Sequence, residues 1–140
     1  MTPEPRATIL IVDDDEVDVE LVVRGLRKRQ LSFDVHSAND GCSALALIRS
    51  RLSTVFCERL IVLLDLNMPR MNGHEFLSEV RSDSALQHML VFVLTTSDLK
   101  SDTDKAYDRN VAGYFVKSNV NGLLDILGPF ADNVQFPVLA

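Results

Sequence analysis

The sequence predicts one α/β domain built on a five-stranded parallel sheet. Three observations lead to this prediction. The chain has 140 residues, which is typical of a single domain with one core. Its apolar residues form short runs of strand length, and segments with helical periodicity separate these runs. Strands that alternate with helices favour a parallel sheet covered by helices on both faces.

Apolar runs mark the strands. Each of the four strong runs is nearly continuous rather than alternating, which is typical of strands that are buried on both faces. A fifth and weaker candidate spans residues 33–36. The strong runs span residues 7–12, 60–64, 89–94 and 114–116.

Apolar residues spaced at i, i+3, i+4 and i+7 predict helices between these strands. A further helix is predicted over residues 41–52, through Cys42, Leu45, Ile48 and Leu52. The three clearest sets are Val19, Val22, Val23 and Leu26; Gly73, Phe76, Leu77 and Val80; and Val120, Leu123, Leu124 and Leu127.

The segment 97–110 carries only a thin apolar stripe. Leu99, Ala106 and Tyr107 are its apolar positions, and they stand among seven charged residues. A helix with so little apolar surface is held weakly by packing. We therefore expect this helix to move most easily.

Right-handed crossovers restrict how five strands and their helices can be connected. The natural solution is a flavodoxin-like (βα)5 three-layer sandwich, with the parallel strands in the order 2-1-3-4-5. The last helix ends at Gly128-Pro129. We therefore expect an N-terminal extension over residues 1–7, the domain over residues 8–128 and a tail over residues 129–140.

Composition excludes several classes of protein. The chain has 14 basic and 20 acidic residues, for a formal net charge of −6, whereas nucleic-acid-binding modules are usually basic. Cys42 and Cys57 form neither a CxxC pair nor a disulfide framework, and inert thiols fit a reducing cytoplasm. With no secretion signal and no apolar run of membrane length, we expect a cytoplasmic protein that binds neither nucleic acid nor membranes.

Polar residues follow four of the predicted strands. In an open parallel sheet, ligands bind beyond the carboxyl ends of the strands, so these residues are expected at one edge. They are Asp13-Asp14-Asp15-Glu16, Asp65-Leu66-Asn67, Thr95-Thr96-Ser97 and Lys117-Ser118.

This set of groups suits phosphoryl chemistry. The carboxylates of Asp13, Asp14 and Asp65 would repel one another unless a cation joined them. Mg²⁺ prefers such oxygen ligands and binds phosphate oxygens as well. The Lys117 ammonium and the Thr95 hydroxyl could stabilise charge on a phosphoryl group. A carboxylate nucleophile would then form an acyl phosphate.

Each of these residues also has a purely structural interpretation. Asp15 suits a helix N-cap, and one of Thr95, Thr96 and Ser97 could cap the next helix. A single lysine is most often solvated. Complementary groups follow four strands in an order that can surround a phosphate-sized site. The set as a whole therefore favours the functional interpretation over the structural one.

Four segments together resemble the receiver domain of two-component response regulators. The resemblance covers about residues 8–128, and the second segment is the most specific. The segments are Ile-Val-Asp-Asp (11–14), Leu-Leu-Asp-Leu-Asn-Met-Pro-Arg-Met-Asn-Gly (63–73), Leu-Thr-Thr (94–96) and Gly-Tyr-Phe-Val-Lys (113–117).

The resemblance implies a role for each matching residue. Asp65 corresponds to the aspartate that accepts a phosphoryl group from the phosphohistidine of a sensor kinase. Asp14 corresponds to a direct metal ligand, and Asp13 corresponds to its acidic neighbour, which binds the metal through water. Asn67 corresponds to the residue whose backbone carbonyl completes the Mg²⁺ site. Lys117 corresponds to the lysine that pairs with the phosphoryl group.

The resemblance also implies a switch. Thr95 corresponds to the switch hydroxyl and Tyr114 to the aromatic residue that turns inward when the hydroxyl moves. Pro69 and Gly73 correspond to the tight loop after the acceptor strand, where glycine is expected to supply a strained backbone conformation. The surface formed by residues 97–128 is expected to report phosphorylation.

Two departures from the family pattern stand out. Ser118 replaces a proline that often follows the lysine, and a cis bond there would cost roughly 3 kcal/mol, so a trans bond is expected. No output domain follows the last helix, which indicates a stand-alone regulator that acts on another protein, such as a histidine phosphotransfer protein or an effector. Three strings resemble those of single-domain regulators that partner bacterial phytochrome kinases: Leu-Thr-Thr-Ser (94–97), Lys-Ser (117–118) and Asn-Met-Pro-Arg (67–70).

The apolar residues of the tail allow two interpretations. Either the tail is a frayed terminus, or it is a dimerisation arm that packs on a second subunit. The residues concerned are Phe130, Val134, Phe136, Val138 and Leu139.

Two other functions remain open at this point. Asp13-x-Asp15 resembles the first motif of haloacid-dehalogenase-type phosphatases, with Asp13 as nucleophile and Asp15 as general acid, but this leaves Asp65 unexplained. A receiver-like binding module that never takes phosphate is the other. A histidine-based metal site is not predicted because the histidines lack ligand spacing, and His74 and His88 are expected at the surface.

Overall fold

The computed structural model describes residues 6–132, 136–137 and 139. The described chain contains five strands and six α-helices. One helix follows each strand except β2, which two helices follow, and 3₁₀ turns at Lys117–Asn119 and Gly128–Ala131 flank the last helix. The bounds are β1 Thr8–Val12, α1 Glu16–Lys28, β2 Asp34–Ala38, α2 Gly41–Ser50, α3 Val55–Glu58, β3 Leu60–Leu64, α4 Gly73–Ser82, β4 Leu90–Thr95, α5 Lys100–Asp108, β5 Gly113–Val116 and α6 Val120–Leu127.

The five strands form one parallel sheet in the order β2-β1-β3-β4-β5. This confirms the predicted flavodoxin-like order 2-1-3-4-5. The register aligns the strand ends, since Val12 pairs with Ala38 and with Leu64, and Thr95 pairs with Val116. The residues that follow the strands therefore meet at one edge of the sheet.

Two apolar layers hold the sheet from its opposite faces. Leu10, Val12 and Leu64 face the layer formed with α2, α3, α4 and α5. Ile9 and Leu63 face the layer formed with α1 and α6. All five side chains are almost completely buried, so neighbouring residues of each strand pack into opposite layers and the carboxyl edge rests on a rigid base.

Several element boundaries differ from those predicted. β2 begins and ends later than residues 33–36, because it is an edge strand whose residues are half-buried or exposed and give a weak apolar signal. The helix predicted over residues 41–52 ends at Ser50, and the short helix α3 was not predicted.

Helix α5 has even less apolar contact than its sequence suggests. Only Ala106 is buried, whereas Leu99 is 61% exposed and Tyr107 is 49% exposed. No side chain caps its N-terminus. The structure thus confirms the thin apolar stripe, which makes α5 the helix with the weakest hold on the core.

The described part of the tail packs on its own chain. The Phe130 ring contacts the Phe92 and Phe136 rings edge to face, and Arg59 donates hydrogen bonds to the Phe130 and Asp132 carbonyl oxygens. Residues 1–5 of the extension and the tail residues Val134 and Val138 lie outside the described residues. Across the described residues, no helix is both long and apolar enough to cross a membrane.

Candidate functional site

The first residue after β1 and after β3 continues the hydrogen-bond ladder of the sheet. The Asp13 amide donates to the Ala38 carbonyl at 3.0 Å, and the Asp65 amide donates to the Val12 carbonyl at 2.9 Å. These bonds hold both aspartates as extensions of their strands. Their carboxylates are thereby fixed side by side at the carboxyl edge of the sheet.

Asp13, Asp14 and Asp65 form an acidic cluster. One carboxylate oxygen from each lies within 4.8 Å of the others. Asp13 and Asp65 are buried, and Asp14 is exposed to solvent. This oxygen-only donor set, with one side open for water, fits Mg²⁺, which binds through a few carboxylates and retains several waters.

Burial raises the pKa of the Asp13 carboxyl, and the negative charge of Asp65 raises it further. Hydrogen bonds from Lys117 and from the Asp15 amide oppose this rise without cancelling it. The raised pKa means that the ionised form of Asp13 is disfavoured in the folded protein, chiefly because the carboxyl is buried. A divalent cation beside Asp13 would favour the ionised form.

Lys117 reaches into the cluster from the turn after β5. Its ammonium nitrogen lies 2.8 Å from Asp13 Oδ2, 2.7 Å from Asp18 Oδ2 and 3.2 Å from Asp65 Oδ2. The side chain is only 14% exposed. Burial lowers the pKa of Lys117, but its bonds to Asp13 and Asp18 outweigh burial, so the net shift is upward. Lys117 is therefore a fixed positive charge at the site and not a solvated lysine.

Asp65 is hydrogen-bonded on both carboxylate oxygens. The buried Thr95 hydroxyl donates to Oδ1 at 2.8 Å, and the Asn67 amide donates to the same oxygen at 3.3 Å. Oδ2 faces Lys117. The Asn67 residue is exposed, so its backbone is the part that contacts Asp65.

The structure shows whether Asp15 and Thr95 act as helix caps. Asp15 is the N-cap of α1, where its carboxylate accepts hydrogen bonds from the Val17 and Asp18 amides. Thr95 is not a cap, because α5 starts only at Lys100. With Asp15 engaged by the helix, a phosphatase that uses Asp13 and Asp15 is not favoured.

Gly73 is required for space and not for its backbone angles, which corrects the expectation of a strained conformation. No described glycine has a positive φ. A Cβ at Gly73 would lie 2.5 Å from the Asp65 carbonyl oxygen and 2.7 Å from the Leu66 Cα. The Gly73 amide also donates to the Leu66 carbonyl at 3.0 Å. The glycine thus lets α4 begin directly against the loop that follows β3.

The loop between β3 and α4 is tied to the neighbouring loop. Pro69 is exposed in it, and Arg70 adopts a left-handed conformation with φ of 63°. The Arg70 guanidinium pairs with the fully buried Asp40 carboxylate, which also caps α2 through the Ser43 amide at 2.8 Å. These contacts position the segment that contains Asn67.

Tyr114 belongs to a polar network that the sequence did not reveal. Its hydroxyl donates to the Ser97 carbonyl at 2.8 Å, and burial raises its pKa. The Ser97 hydroxyl donates to Asp102, whose other oxygen lies 2.9 Å from His74 Nε2. The prediction that His74 is a surface residue is therefore wrong, since its side chain is 23% exposed and bridges α4 and α5. His88 is exposed as predicted.

Asp18 is the site residue that sequence reasoning missed. An acidic residue in the first turn of a helix is explained by the helix dipole alone, so Asp18 gave no separate signal. Its contact with Lys117 joins residues 99 positions apart. The peptide bond after Lys117 is trans, as expected from Ser118, because the described chain contains no cis peptide bond.

Comparisons with known proteins show the family of the chain and structures of similar fold. The profile of the response regulator receiver domain matches residues 9–127. Response regulator Rcp1 of Synechocystis sp. is 32% identical over 115 residues, which cover 81% of this chain and 78% of Rcp1.

Two solved structures are similar over most of the chain. The phosphorylated cyanobacterial phytochrome response regulator RcpA has a TM-score of 0.79 and 28% sequence identity, with coverage of 94% of this chain and 99% of that chain. The Mn²⁺-bound form of Rcp1 has a TM-score of 0.76 and 29% identity, with the same coverage.

Proposed function

Because this chain belongs to the family of response regulator receiver domains, we propose that its Asp65 carboxylate accepts a phosphoryl group from the phosphohistidine of a sensor kinase. One observation carries this proposal. The buried Asp65 carboxylate lies between a hydroxyl donor, Thr95, and a fixed ammonium, Lys117, beside two further carboxylates. A phosphoryl group on Asp65 would find a donor on either side.

In the transfer, the P–N bond of the phosphohistidine breaks and an Asp65 oxygen forms the new bond to phosphorus. The departing imidazole nitrogen keeps the electron pair of the broken bond. Lys117 and Thr95 bind the transferred phosphoryl oxygens and stabilise their charge. A Mg²⁺ ion held by Asp13, Asp14, Asp65 and the Asn67 carbonyl would supply further positive charge to these oxygens.

We propose that the hydrogen bonds around Thr95 and Ser97 couple Asp65 to the surface. When the Thr95 hydroxyl turns from the Asp65 carboxylate to a phosphoryl oxygen, the nearby Ser97 shifts. Ser97 then loses its present hydrogen bonds with the Tyr114 hydroxyl and the Asp102 carboxylate. Tyr114 then turns inward and the surface formed by residues 97–128 changes. We propose this surface change as the output signal.

Partners follow from this role. The proposed donor is a sensor histidine kinase in the cytoplasm, of the bacterial phytochrome class that the similarity to the phytochrome response regulator RcpA suggests. The proposed receiver of the signal is a histidine phosphotransfer protein or an effector. We also propose that a second copy of the chain binds through the tail of residues 129–140 to form a homodimer. Neither nucleic acid nor membrane is a proposed partner. The protein acts as an acceptor and hydrolyses its own acyl phosphate slowly at most.

Asp65→Asn tests the proposal. We expect wild-type protein incubated with Mg²⁺ and a small acyl-phosphate donor to incorporate phosphate, and Asp65→Asn to incorporate none while its circular dichroism is unchanged. Asp34→Asn is the matched control, because Asp34 is exposed at the opposite end of the sheet and its loss should have no effect. Undiminished incorporation by Asp65→Asn would contradict the assignment.

A further inference from the structure

The Lys117 ammonium already uses its whole hydrogen-bonding capacity. A lysine ammonium has three N–H donors, and the three carboxylates of Asp13, Asp18 and Asp65 contact it. A phosphoryl oxygen on Asp65 can therefore gain this ammonium only if one of the present partners gives up its donor. Which partner competes most is decided by where each carboxylate lies.

Asp18 differs from the other two carboxylates. Asp13 and Asp65 belong to the acidic cluster with Asp14, whereas Asp18 lies outside it, in the first turn of α1. A cation in the cluster would compensate the charge of Asp13 and Asp65 but not that of Asp18. The Asp18 contact is also the shortest of the three, and that of Asp65 is the longest.

We propose that Asp18 is a positioning residue that holds Lys117 toward α1 and competes with the phosphoryl group on Asp65 for the ammonium. This inference rests on the proposed function of Asp65. Phosphorylation then transfers one Lys117 hydrogen bond from α1 to the phosphoryl group. Helix α1 thereby sets how readily the site binds that group.

If Asp18 only stabilised the N-terminus of α1, a different experimental result would be expected. An acidic residue in the first turn stabilises a helix through its dipole whether or not it contacts Lys117. Glu16 lies in the same first turn, is exposed, and forms no ion pair within the described part of the chain. Glu16→Gln therefore removes a charge from the same helix end without affecting Lys117, which makes it the matched control.

The experiment measures the affinity for fluoroberyllate, a phosphoryl mimic, at saturating Mg²⁺ by calorimetry. Asp18→Asn retains the size of the side chain and removes its charge. We expect Asp18→Asn to bind fluoroberyllate about fivefold more tightly than wild type, and Glu16→Gln to stay within about twofold of wild type, since an ion pair that retains some exposure has a modest coupling energy. An affinity equal to or weaker than that of wild type would overturn the inference.

A double-mutant cycle with Lys117→Ala tests whether the effect passes through Lys117. We expect the gain in fluoroberyllate affinity from Asp18→Asn to disappear in the Lys117→Ala background. A gain of the same size in the Lys117→Ala background would overturn the inference, because Asp18 would then act as a general negative charge. If circular dichroism shows that Asp18→Asn does not fold, Asp18→Ser takes its place in the same measurements.

The design separates the two levels of the proposal. If wild type is phosphorylated on Asp65 but Asp18→Asn binds fluoroberyllate no more tightly, the competition is refuted and the proposed function stands. If wild type neither binds fluoroberyllate nor takes up phosphate on Asp65, the proposed function is refuted, and the role of Asp18 is refuted with it.

Discussion

At the scale of single residues, hydrogen bonds stabilise two buried aspartates at the edge of the sheet. Asp65 accepts the Thr95 hydroxyl, and Asp40 accepts the Ser43 amide and pairs with Arg70. A buried carboxylate is costly unless such donors satisfy it. Removing a donor or a carboxylate at these positions should therefore have measurable effects.

Thr95→Val removes the hydroxyl and retains the shape of the side chain. We expect phosphate uptake from a small donor to slow about tenfold or more, because a donor to the developing charge is lost. In Thr95→Val we also expect phosphorylation to leave the position of the Tyr114 side chain unchanged. The chain has no tryptophan and only two tyrosines, so tyrosine fluorescence in a Tyr107→Phe background reports on Tyr114. Thr95→Ser retains the hydroxyl and should retain both responses, and a normal Tyr114 response in Thr95→Val would contradict the switch.

Asp40 should contribute to stability in a pH-dependent way. The Ser43 amide and the Arg70 guanidinium hold the pKa of Asp40 below its ordinary value of 3.8. The unfolded chain therefore binds this proton more readily, and the contribution of Asp40 to stability is present above pH 3.8 and lost as the pH falls through the lowered pKa. The free energy of unfolding can be measured by urea denaturation between pH 3 and 6. It should fall less on acidification for Asp40→Asn than for wild type.

Substituting Asp40 at neutral pH separates the cap from the charge. Asp40→Ala should lower the free energy of unfolding by about 1–2 kcal/mol, since it removes the N-cap of α2, and Asp40→Asn should lower it less because the amide oxygen still accepts the Ser43 N–H. Equal losses for the two variants would show that the cap bond contributes nothing.

At the scale of elements, α4 and α5 are held to the sheet in different ways. Helix α4 buries Gly73, Phe76, Leu77 and Val80, whereas α5 buries only Ala106. Polar contacts, above all the one between His74 and Asp102, bind α5 to its neighbour. A helix attached by few polar contacts opens at low free-energy cost, which suits an element that reports a chemical change.

Hydrogen exchange should reveal this difference. We expect α5 amides to exchange faster than α4 amides, and Asp102→Asn to accelerate α5 exchange by about fivefold further, because it weakens the partly buried hydrogen bond with His74. Asp104→Asn removes an exposed partner of Lys100 within the same helix and should have a smaller effect. Equal protection of α4 and α5 in wild type would contradict the weak attachment of α5.

Gly73→Ala tests the close contact between α4 and the acceptor loop. The added Cβ would meet backbone atoms of Asp65 and Leu66, so the loop must shift, and we expect a loss of about 1–3 kcal/mol in the free energy of unfolding together with slower phosphate uptake. Gly128→Ala is the control, because a Cβ there has no neighbour within 4 Å. An unchanged stability and uptake in Gly73→Ala would show that the loop is not closely packed.

At the scale of the whole molecule, the sheet order and the main site residues could be predicted because both follow from where buried strands end. Asp13, Asp65, Thr95 and Lys117 each end or follow an apolar run, and the register of a parallel sheet brings such residues together. The edge strand β2 was misplaced because half-buried residues leave a weak pattern.

Contacts that depend on how helices are rotated against the sheet could not be predicted. The bond between Asp18 and Lys117 and the bridge from His74 to Asp102 join distant parts of the chain. Neither pair has a sequence spacing that marks it. The requirement for Gly73 was predicted, but its cause was not, because a close backbone approach is visible only in three dimensions.

The tail remains a prediction at this scale. Its described residues Phe130, Phe136 and Leu139 contact the chain's own core, and the proposed contact with a second copy would extend from this base. Sedimentation over a concentration series should show association that is lost when residues 129–140 are removed. A monomer at all concentrations, or a dimer that survives the removal, would contradict the arm.

The proposed role of Asp65 as phosphoacceptor can be tested by locating the phosphoryl group chemically. The protein is incubated with a small acyl-phosphate donor with and without Mg²⁺, the aspartyl phosphate is trapped by borohydride reduction, and the modified residue is mapped by mass spectrometry. We predict modification at Asp65 that requires Mg²⁺. Modification at Asp13 with turnover of phosphate esters, or no modification of Asp65 in the presence of Mg²⁺, would contradict this role of Asp65.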